Sequence, residues 1–226
     1  MIITVGGIKG GSGKTTIAVN LAIMRSLSGA DVLLIDADDQ GTSSDFTAVR
    51  DEQKGGSGYT LARLSGRLIT SEVEKFSTRF GDIIIDVGGR DTASQRAAMV
   101  VSDIFLVPFL PRSFDIWTLN SVSELLNEVS SFSDLRAFAF LNRADPSGTD
   151  NSEAAELIRE SAKQSPLQYL NIAIGNRKAF ASAAALGESV VESRSPDTKA
   201  ITEMDALYEA VFSLANASKK SKGKKK

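Results

Sequence analysis

The stretch Lys9-Gly10-Gly11-Ser12-Gly13-Lys14-Thr15-Thr16 decides the fold of this chain of 226 residues. It follows the apolar, β-branched run 2–8 and opens a segment of helical spacing that reaches Leu27. Glycines at this spacing let consecutive backbone amides point inward at an anion, and the positive end of the following helix adds to the same field. Lys14 is expected to reach the β- and γ-phosphates, and the Thr15 hydroxyl to ligate Mg²⁺. The stretch therefore predicts a phosphate-binding loop for a nucleotide held with Mg²⁺.

Beyond this loop, apolar β-branched runs alternate with segments of helical spacing, which is typical of parallel βαβ units. We expect a single α/β domain over residues 1–215, a doubly wound and mostly parallel sheet flanked by helices, with the nucleotide at the carboxyl edge of the first strand. The glycine-rich run 51–58 predicts a mobile surface loop. Strands are predicted at 2–8, 31–35, 82–86, 104–108, 137–142 and 168–174, and helices beginning at Lys14, Ala93, Asp115, Ser152, Arg177 and Pro196.

The composition restricts the chemistry, because the chain has no cysteine and no histidine. Disulfides, thiolate metal sites, iron–sulfur clusters, cysteine nucleophiles and imidazole bases are excluded. Catalysis must use carboxylates, lysines, hydroxyls, backbone amides and a bound cation. No apolar run approaches the length of a membrane span, so we expect a cytoplasmic protein. Since the loop begins at residue 9, we also expect no separate DNA-reading module in front of it.

Six lysines lie within the last nine residues of the sequence. Because no apolar residue accompanies them, residues 216–226 are predicted to be a disordered, solvated tail. Such a tail either keeps the chain soluble or binds a polyanion such as the DNA backbone. The lysines are Lys219, Lys220, Lys222, Lys224, Lys225 and Lys226.

The phosphate loop departs from the usual G-x-x-x-x-G-K-[ST] pattern, because Ile8 occupies the position of the first glycine and Lys9 follows it. A second lysine at the mouth of the loop is useful where more phosphate charge must be covered, for instance that of a nucleotide held by a second protomer. With this extra lysine the loop resembles the deviant Walker A motif of the ParA/MinD family of ATPases, in particular the short ParA-type partition proteins. The resemblance covers roughly residues 1–215 and makes ATP the expected nucleotide.

Three further motifs carry the same resemblance. Asp36-Ala37-Asp38-Asp39-Gln40-Gly41 resembles the family's switch I motif, with Asp39 where proline is usual, which predicts a looser turn. Residues 83–86 resemble the strand that ends in the Walker B aspartate, Asp86, although Val87-Gly88-Gly89 replaces the common threonine and prolines. Residues 107–111 are similar to a later strand and proline turn of the family.

Aspartates at the carboxyl ends of predicted strands lie where such sheets place their ligands. By its match to switch I, Asp38 is the predicted group that positions the attacking water. Asp86 is expected to hold a Mg²⁺-bound water and Asp36 to support the same shell, unless Asp36 only caps the end of its strand. Asn142 and Arg143 are the candidates for adenine recognition, although Asn142 could equally be a turn residue. No N-K-x-D motif for guanine is present.

The resemblance also implies a mode of action. In the family, ATP drives the formation of a sandwich homodimer in which the signature lysine, here Lys9, contacts the nucleotide of the partner. That dimer binds double-stranded DNA without sequence preference, and a ParB-like or centromere-binding adaptor stimulates an otherwise weak hydrolysis to ADP and phosphate. The implied function is the segregation of plasmid or chromosomal DNA from a nucleoid-associated location. Candidate DNA contacts, besides the lysine tail, are Arg177, Lys178, Arg194 and Lys199.

Three alternatives remain open at this level. A MinD-like protein would lie on the membrane through a stripe formed by Tyr208, Val211, Phe212 and Leu214, although such a stripe in a last helix more often packs into the core. A ParA-like ATPase could instead position a protein organelle or cluster. An ATP-dependent metabolic synthetase shares the fold, but the sequence shows no motif for a second substrate.

Overall fold

The computed structural model of the chain describes residues 1–90, 92–111, 115–145 and 150–222, with the backbone alone at 115–117 and 215–222. Strands and helices alternate through most of this part of the chain. The strands are β1 Ile2–Val5, β2 Val32–Ala37, β3 Thr60–Arg63, β4 Asp82–Val87, β5 Ile104–Phe109, β6 Arg136–Ala144 and β7 Leu167–Gly175. The helices are α1 Lys14–Leu27, α2 Thr42–Lys54, α3 Leu68–Phe76, α4 Ala93–Val101, α5 Asp115–Ser130, α6 Asp150–Ala162, α7 Lys178–Ala184 and α8 Thr198–Lys222, with a 3₁₀ turn at Val190–Glu192.

All seven described strands form one sheet in the order β3-β2-β4-β1-β5-β6-β7, and every neighbouring pair is parallel. The predicted doubly wound α/β fold is therefore confirmed, with a sheet that is entirely parallel in the described residues. β1 is flanked by β4 and β5, so the strand order reverses around it. That reversal opens a crevice at the carboxyl end of β1, the place where open α/β sheets bind ligands.

Helices cover both faces of the sheet, and this explains why the strands are nearly continuous apolar runs. On one face, α1 and α8 pack over alternate residues of the central strands, including Ile3, Leu34 and Ile84. On the other face, two clusters fill the space beneath the helices, one around Ile35 and Ile85 and one around Phe105. Because side chains alternate across a strand, Asp36 and Asp86 project toward the same face as Leu34 and Ile84.

The sequence did not predict the elements α2, β3 and α3. The prediction of a loop at 51–58 is wrong for the first half of that range. Residues 51–54 form the last turn of α2, which ends at Gly55 with a left-handed φ of 73°. The helix was hard to recognise because it buries polar side chains, including Ser43 and Arg50, where an amphipathic helix buries an apolar stripe. β3 has four residues, none of them fully buried, and lies at the edge of the sheet.

The last helix also differs from expectation, since α8 continues to Lys222 whereas residues 216–226 were predicted to be disordered. The segment 215–222 contains alanines and lysines, which favour helix, and no glycine before Gly223. Residues 223–226, with three of the tail's lysines, lie outside the described residues. No helix that the structure describes, α8 included, combines the length and the apolarity needed to cross a bilayer.

The apolar stripe of α8 packs inward. Val211 and Phe212 belong to the core cluster that α1 and the sheet also form, and Tyr208 and Leu214 pack against it. Tyr208 and Phe212 lie with ring centroids 4.6 Å apart, and the Arg25 guanidinium lies 4.8 Å from the centroid of the Phe212 ring. The core-packing interpretation of this stripe is therefore confirmed.

Candidate nucleotide-binding site

The phosphate loop lies between β1 and α1, and its conformation depends on glycine. Gly11 and Gly13 have left-handed φ values of 74° and 89°, and Gly13 is the residue before the first turn of α1. A Cβ on Gly13 would lie 2.3 Å from Nδ2 of Asn142, so any side chain there would displace Asn142. Gly10 faces open space, as a residue that approaches a ligand should.

Lys14 points into this loop. Its Nζ donates a hydrogen bond of 2.8 Å to the backbone oxygen of Lys9, and no carboxylate of the described residues lies within ion-pair distance of it. Burial lowers the pKa of Lys14, while the more distant charges of Asp86 and Asp38 oppose that shift. A buried ammonium held by one carbonyl is a group that a phosphate would stabilise.

A cleft of about 830 Å³ opens above the loop. It brings together the phosphate loop, the switch I turn, the β4–α4 loop and the end of β6, which are far apart in sequence. The side chain of Lys9, which is half-buried, is not among the residues that line it. The lining residues are Gly10, Gly11, Gly13, Lys14, Thr15, Thr16, Asp38, Asp39, Gln40, Thr42, Gly88, Gly89, Arg90, Thr92 and Arg143.

Asp38 lies on the turn that follows β2 and faces this cleft. The backbone nitrogen of Gly41 donates to the oxygen of Asp38 at 3.0 Å, and that of Gln40 donates to Oδ1 of Asp38 at 3.2 Å. Gly41 completes the turn with a left-handed φ of 68°. The looser turn expected from Asp39 in place of proline is thus not observed, because hydrogen bonds and glycine close it.

Asp86 is fully buried beneath the cleft at the end of β4. Its Oδ2 accepts a hydrogen bond of 2.8 Å from Oγ of Ser43, and its buried Oδ1 has no hydrogen-bond partner among the described residues. Burial raises the pKa of Asp86 to about 7, the hydroxyls of Thr15 and Ser43 oppose the shift, and the charge of Asp36 adds to it. The Thr15 hydroxyl therefore lies close enough to this carboxyl to favour its charged form, although Oδ1 has no hydrogen-bond partner among the described residues.

Asp36 pairs in register with Asp86 on the neighbouring strand. Unlike Oδ1 of Asp86, both carboxylate oxygens of Asp36 accept hydrogen bonds. Oδ2 accepts from the backbone nitrogen of Ser44 at 2.9 Å and from its hydroxyl, and Oδ1 accepts from the nitrogen of Asp38 at 3.3 Å. These bonds satisfy donors in the first turn of α2 and in the switch I turn. The geometry thus favours the capping interpretation of Asp36, and its part in a metal shell stays a prediction.

Thr15 and Asp86 provide what a Mg²⁺ ion bound with a nucleotide requires. The unpartnered Oδ1 of Asp86 is a buried acceptor, and the Thr15 hydroxyl lines the cleft above it. The described residues contain no group of three or more carboxylates arranged to hold a metal. A Mg²⁺ ion here would therefore take most of its ligands from phosphate oxygens and water, as is usual for this ion.

The candidates for base recognition lie beside a second cleft, of about 520 Å³, on the other side of Gly13. Nδ2 of Asn142, which is 4% exposed, donates to the oxygen of Ser12 at 2.7 Å, so this amide supports the phosphate loop. Arg143 has a left-handed φ of 54° and donates to the oxygen of Gly11 at 3.2 Å. Because Arg143 lines both clefts, it lies where phosphates and base would meet. Contact with adenine stays a prediction for both residues.

Among the candidate DNA contacts, Arg177 is already paired. Its guanidinium makes two hydrogen bonds to the carboxylate of Glu203, of 2.9 Å and 2.5 Å. That pairing raises the pKa of Arg177 and neutralises its charge. Lys178, Arg194 and Lys199 are exposed. Phosphate binding on this surface, if it occurs, would rest on the latter three.

Four residues of the site were missed by reasoning from sequence. Arg90 and Thr92 line the main cleft, Ser43 contacts Asp86, and Oε1 of Gln95 accepts from the backbone nitrogen of Gly7 at 3.0 Å. The unusual glycines before Arg90 were a signal that could have found it. Ser43 and Gln95 gave no such signal, because each contacts a segment that is remote in sequence.

Comparisons with known proteins agree with this geometry. The CobQ/CobB/MinD/ParA nucleotide-binding domain matches residues 3–190. The maintenance of carboxysome distribution protein A of Halothiobacillus neapolitanus is 24% identical over 213 residues, which are 93% of this chain and 95% of that protein.

Two solved structures share the architecture. Apo McdA from Cyanothece superposes with a TM-score of 0.78 at 19% identity, over 93% of this chain and 98% of its own. A putative plasmid partition protein from Borrelia burgdorferi B31, bound to AMPPNP, gives a TM-score of 0.73 at 17% identity, over 94% and 98%. At these identities the likeness establishes the fold. Together with the match over residues 3–190, it confirms the predicted kinship: the chain belongs to the CobQ/CobB/MinD/ParA family of nucleotide-binding domains.

Proposed function

We propose that this chain is a ParA/MinD-type ATPase that binds ATP with Mg²⁺ in the main cleft and hydrolyses it to ADP and phosphate. The observation that carries the proposal is the convergence of Lys14, Thr15 and Asp38 on one cleft above the unpartnered oxygen of Asp86. Phosphoryl transfer needs mainly positioning and charge neutralisation, and these groups supply both.

In this proposal the residues of the cleft have separate roles in binding and hydrolysis. The loop amides and Lys14 hold the β- and γ-phosphates, and Asp38 orients a water toward the γ-phosphorus. Thr15 and Asp86 would hold Mg²⁺, and the bound ion would supply charge neutralisation at the phosphate oxygens. Few groups assist the attacking water, so we expect slow intrinsic turnover.

We further propose that Lys9 acts on the nucleotide of a second protomer. Its side chain does not line the cleft of its own chain, whereas Lys14 does. Lys9 lies at the mouth of the loop, outside the lining of its own cleft, which is the position from which a facing copy could be reached. ATP would then drive a homodimer in which each Lys9 covers phosphate charge across the interface.

Light scattering on Lys9→Ala with and without ATP tests this arrangement, with Lys75→Ala as the control because Lys75 is an exposed lysine on α3. We expect the Lys9 variant to bind ATP but remain monomeric, while the control dimerises like the parent chain. Normal dimerisation and hydrolysis by Lys9→Ala would contradict the proposal.

Two proposals for the cargo, meaning the DNA or protein assembly that the ATPase cycle positions, have comparable support. The first is partition of plasmid or chromosomal DNA through an ATP-bound dimer that binds duplex DNA without sequence preference and a ParB-like adaptor that triggers hydrolysis. The likeness to a plasmid partition protein favours it. The second is positioning of a protein assembly by the same cycle, which the likeness to a carboxysome distribution protein favours.

DNA binding can be tested separately from cargo. Filter binding of unrelated duplexes should be strong only with ATP and should weaken with salt, because lysine contacts release counterions. Deleting residues 218–226 should weaken it further if the lysine tail contributes. DNA binding that is unchanged by the deletion would assign the contacts to the folded surface. DNA binding of equal strength with and without ATP would contradict an ATP-dependent switch.

A further inference from the structure

Arg90 is a charged residue of the main cleft to which neither the motifs nor the proposed roles above give a function. It follows Gly88 and Gly89 in the β4–α4 loop and is exposed. No residue that the structure describes forms a hydrogen bond or an ion pair with its guanidinium. It nevertheless lines the cleft together with Lys14 and Asp38. An arginine without an anionic partner at the wall of a phosphate cleft has the charge that a phosphate needs.

The backbone before Arg90 is held tightly against the groups that would surround the γ-phosphate. A Cβ on Gly89 would lie 2.8 Å from Cα of Gly10 and 2.9 Å from Nζ of Lys14. A Cβ on Gly88 would lie 3.1 Å from Oδ1 of Asp38. The two glycines therefore pass between the lysine that reaches the β- and γ-phosphates and the aspartate that orients the water. The next side chain in the loop is that of Arg90.

The start of α4, whose N-cap is Thr92, is held in place as well. Oγ1 of Thr92 caps α4 by accepting from the backbone nitrogen of Gln95 at 3.1 Å, and Gln95 in turn accepts from the nitrogen of Gly7 beside the phosphate loop. The start of α4 is thus tied to Gly7, between β1 and the phosphate loop. Gly89, directly before Arg90, packs against the same loop at Gly10.

We propose that Arg90 is a catalytic residue whose guanidinium contacts the γ-phosphate of ATP bound in the cleft of its own protomer. This rests on the proposed ATPase function and adds a further cation to the site. In hydrolysis the water oxygen bonds to the γ-phosphorus, and the bond from that phosphorus to the bridging oxygen of ADP breaks with its electron pair staying on ADP. Both protons of the water leave on the released phosphate, as dihydrogen phosphate. The Arg90 guanidinium stabilises the charge on the transferred group. It also distinguishes ATP from ADP, which lacks the phosphate that it contacts.

The test compares Arg90→Ala and Arg90→Lys with Arg79→Ala, since Arg79 is an exposed arginine before β4, at the opposite edge of the sheet. Equilibrium affinities for ADP and for a non-hydrolysable ATP analogue are measured by competition with a fluorescent nucleotide, and single-turnover hydrolysis gives the rate. In Arg90→Ala, loss of a charge-assisted contact should lower the ratio of triphosphate to diphosphate affinity about tenfold. The hydrolysis rate should fall by about tenfold or more. The lysine variant should recover part of the affinity ratio, and Arg79→Ala should match the parent.

An unchanged affinity ratio in Arg90→Ala, in a protein that still binds ATP, would overturn this inference and leave the proposed function standing. A parent chain that binds neither nucleotide would overturn both. Repeating the measurement below and above the concentration at which the chain dimerises distinguishes cis from trans action. A loss seen only in the dimer would overturn the assignment to the same protomer.

Discussion

Ser43 donates a hydrogen bond of 2.8 Å to Oδ2 of Asp86, and both side chains are fully buried. Ser43 lies in the first turn of α2, directly after the switch I turn, and Asp86 ends β4 beneath the phosphate loop. The bond therefore joins the element that carries Asp38 to the carboxylate predicted to act on Mg²⁺. A movement of the switch I turn would therefore displace the hydroxyl that donates to Asp86.

Replacing Ser43 by alanine should destabilise the nucleotide-free protein by about 1–3 kcal/mol, because a buried carboxylate loses its donor. The loss should be larger at pH 8 than at pH 5.5, since Ser43 stabilises the charged form of Asp86. Urea unfolding at both pH values measures it. Ser130→Ala removes an exposed serine hydroxyl that bonds only within its own helix and serves as the control. Equal stability of Ser43→Ala and this control would show that the bond contributes nothing.

Asp86 should also make the stability of the nucleotide-free protein fall as the pH rises. Its pKa is raised from 3.8 to about 7 by burial, so the folded chain holds this proton more tightly than the unfolded chain. The stabilisation is complete below pH 4 and is lost as the pH rises through 7. Asp86→Asn stays neutral, and its advantage in melting temperature over the parent should grow between pH 5 and pH 8.

Thermal unfolding without nucleotide at several pH values tests this expectation, with Asp134→Asn as the control because Asp134 is exposed. The pKa of Glu203 is lowered, because burial, which would raise it, is outweighed by hydrogen bonds from Arg177 and Gly175. Glu203 therefore stabilises the folded chain less as the pH falls below 4.5, which is outside this window. A constant difference between Asp86→Asn and the parent from pH 5 to pH 8 would contradict the raised pKa.

The parts of the site that the sequence predicted are those that depend on local pattern. The glycines beside Lys14 determine the local backbone conformation of the phosphate loop. The apolar runs that end at Asp36 and Asp86 indicate buried strands. The fold and the phosphate loop could therefore be predicted from the sequence. The parts that it missed depend on contacts between remote segments. That Ser43 reaches Asp86, and that Gln95 reaches Gly7, follows only from how the strands and helices come together.

Asn142 offers a way to separate support of the loop from recognition of the base. Its Nδ2 holds the oxygen of Ser12 and lies against Gly13. Asn142→Ala should therefore weaken ATP and GTP binding by similar factors and cost about 1–3 kcal/mol of stability, because a buried carbonyl loses its donor. Competition binding with both nucleotides measures this. A selective loss of ATP binding, with GTP unaffected, would assign Asn142 to the adenine instead.

Arg50 holds the far end of α2 to the segment that follows α7, and we expect it to be the largest single electrostatic contribution to stability among the described residues. Its guanidinium donates to the oxygens of Ser57 and Gly187, each at 2.7 Å, and pairs with Glu192 at 2.8 Å. A Cβ on Gly187 would lie 2.5 Å from Cα of Arg50, so the two segments touch backbone to backbone. The side chain of Arg50 is only 7% exposed, so water cannot replace these bonds.

Arg50→Ala should cost about 3–5 kcal/mol in urea unfolding, because two carbonyls lose their donor and Glu192 keeps only the more distant Lys54, at 3.7 Å. Glu192→Gln should cost less, since the carbonyl bonds of Arg50 survive, and the double variant should cost less than the sum of the two. The exposed pair of Lys75 and Glu72 provides the comparison, and Lys75→Ala should cost less than about 1 kcal/mol. If Arg50→Ala were as mild as Lys75→Ala, the attachment of α2 to this segment would have to come from its other contacts, which include the ion pair of Lys54 with Glu188 at 2.7 Å.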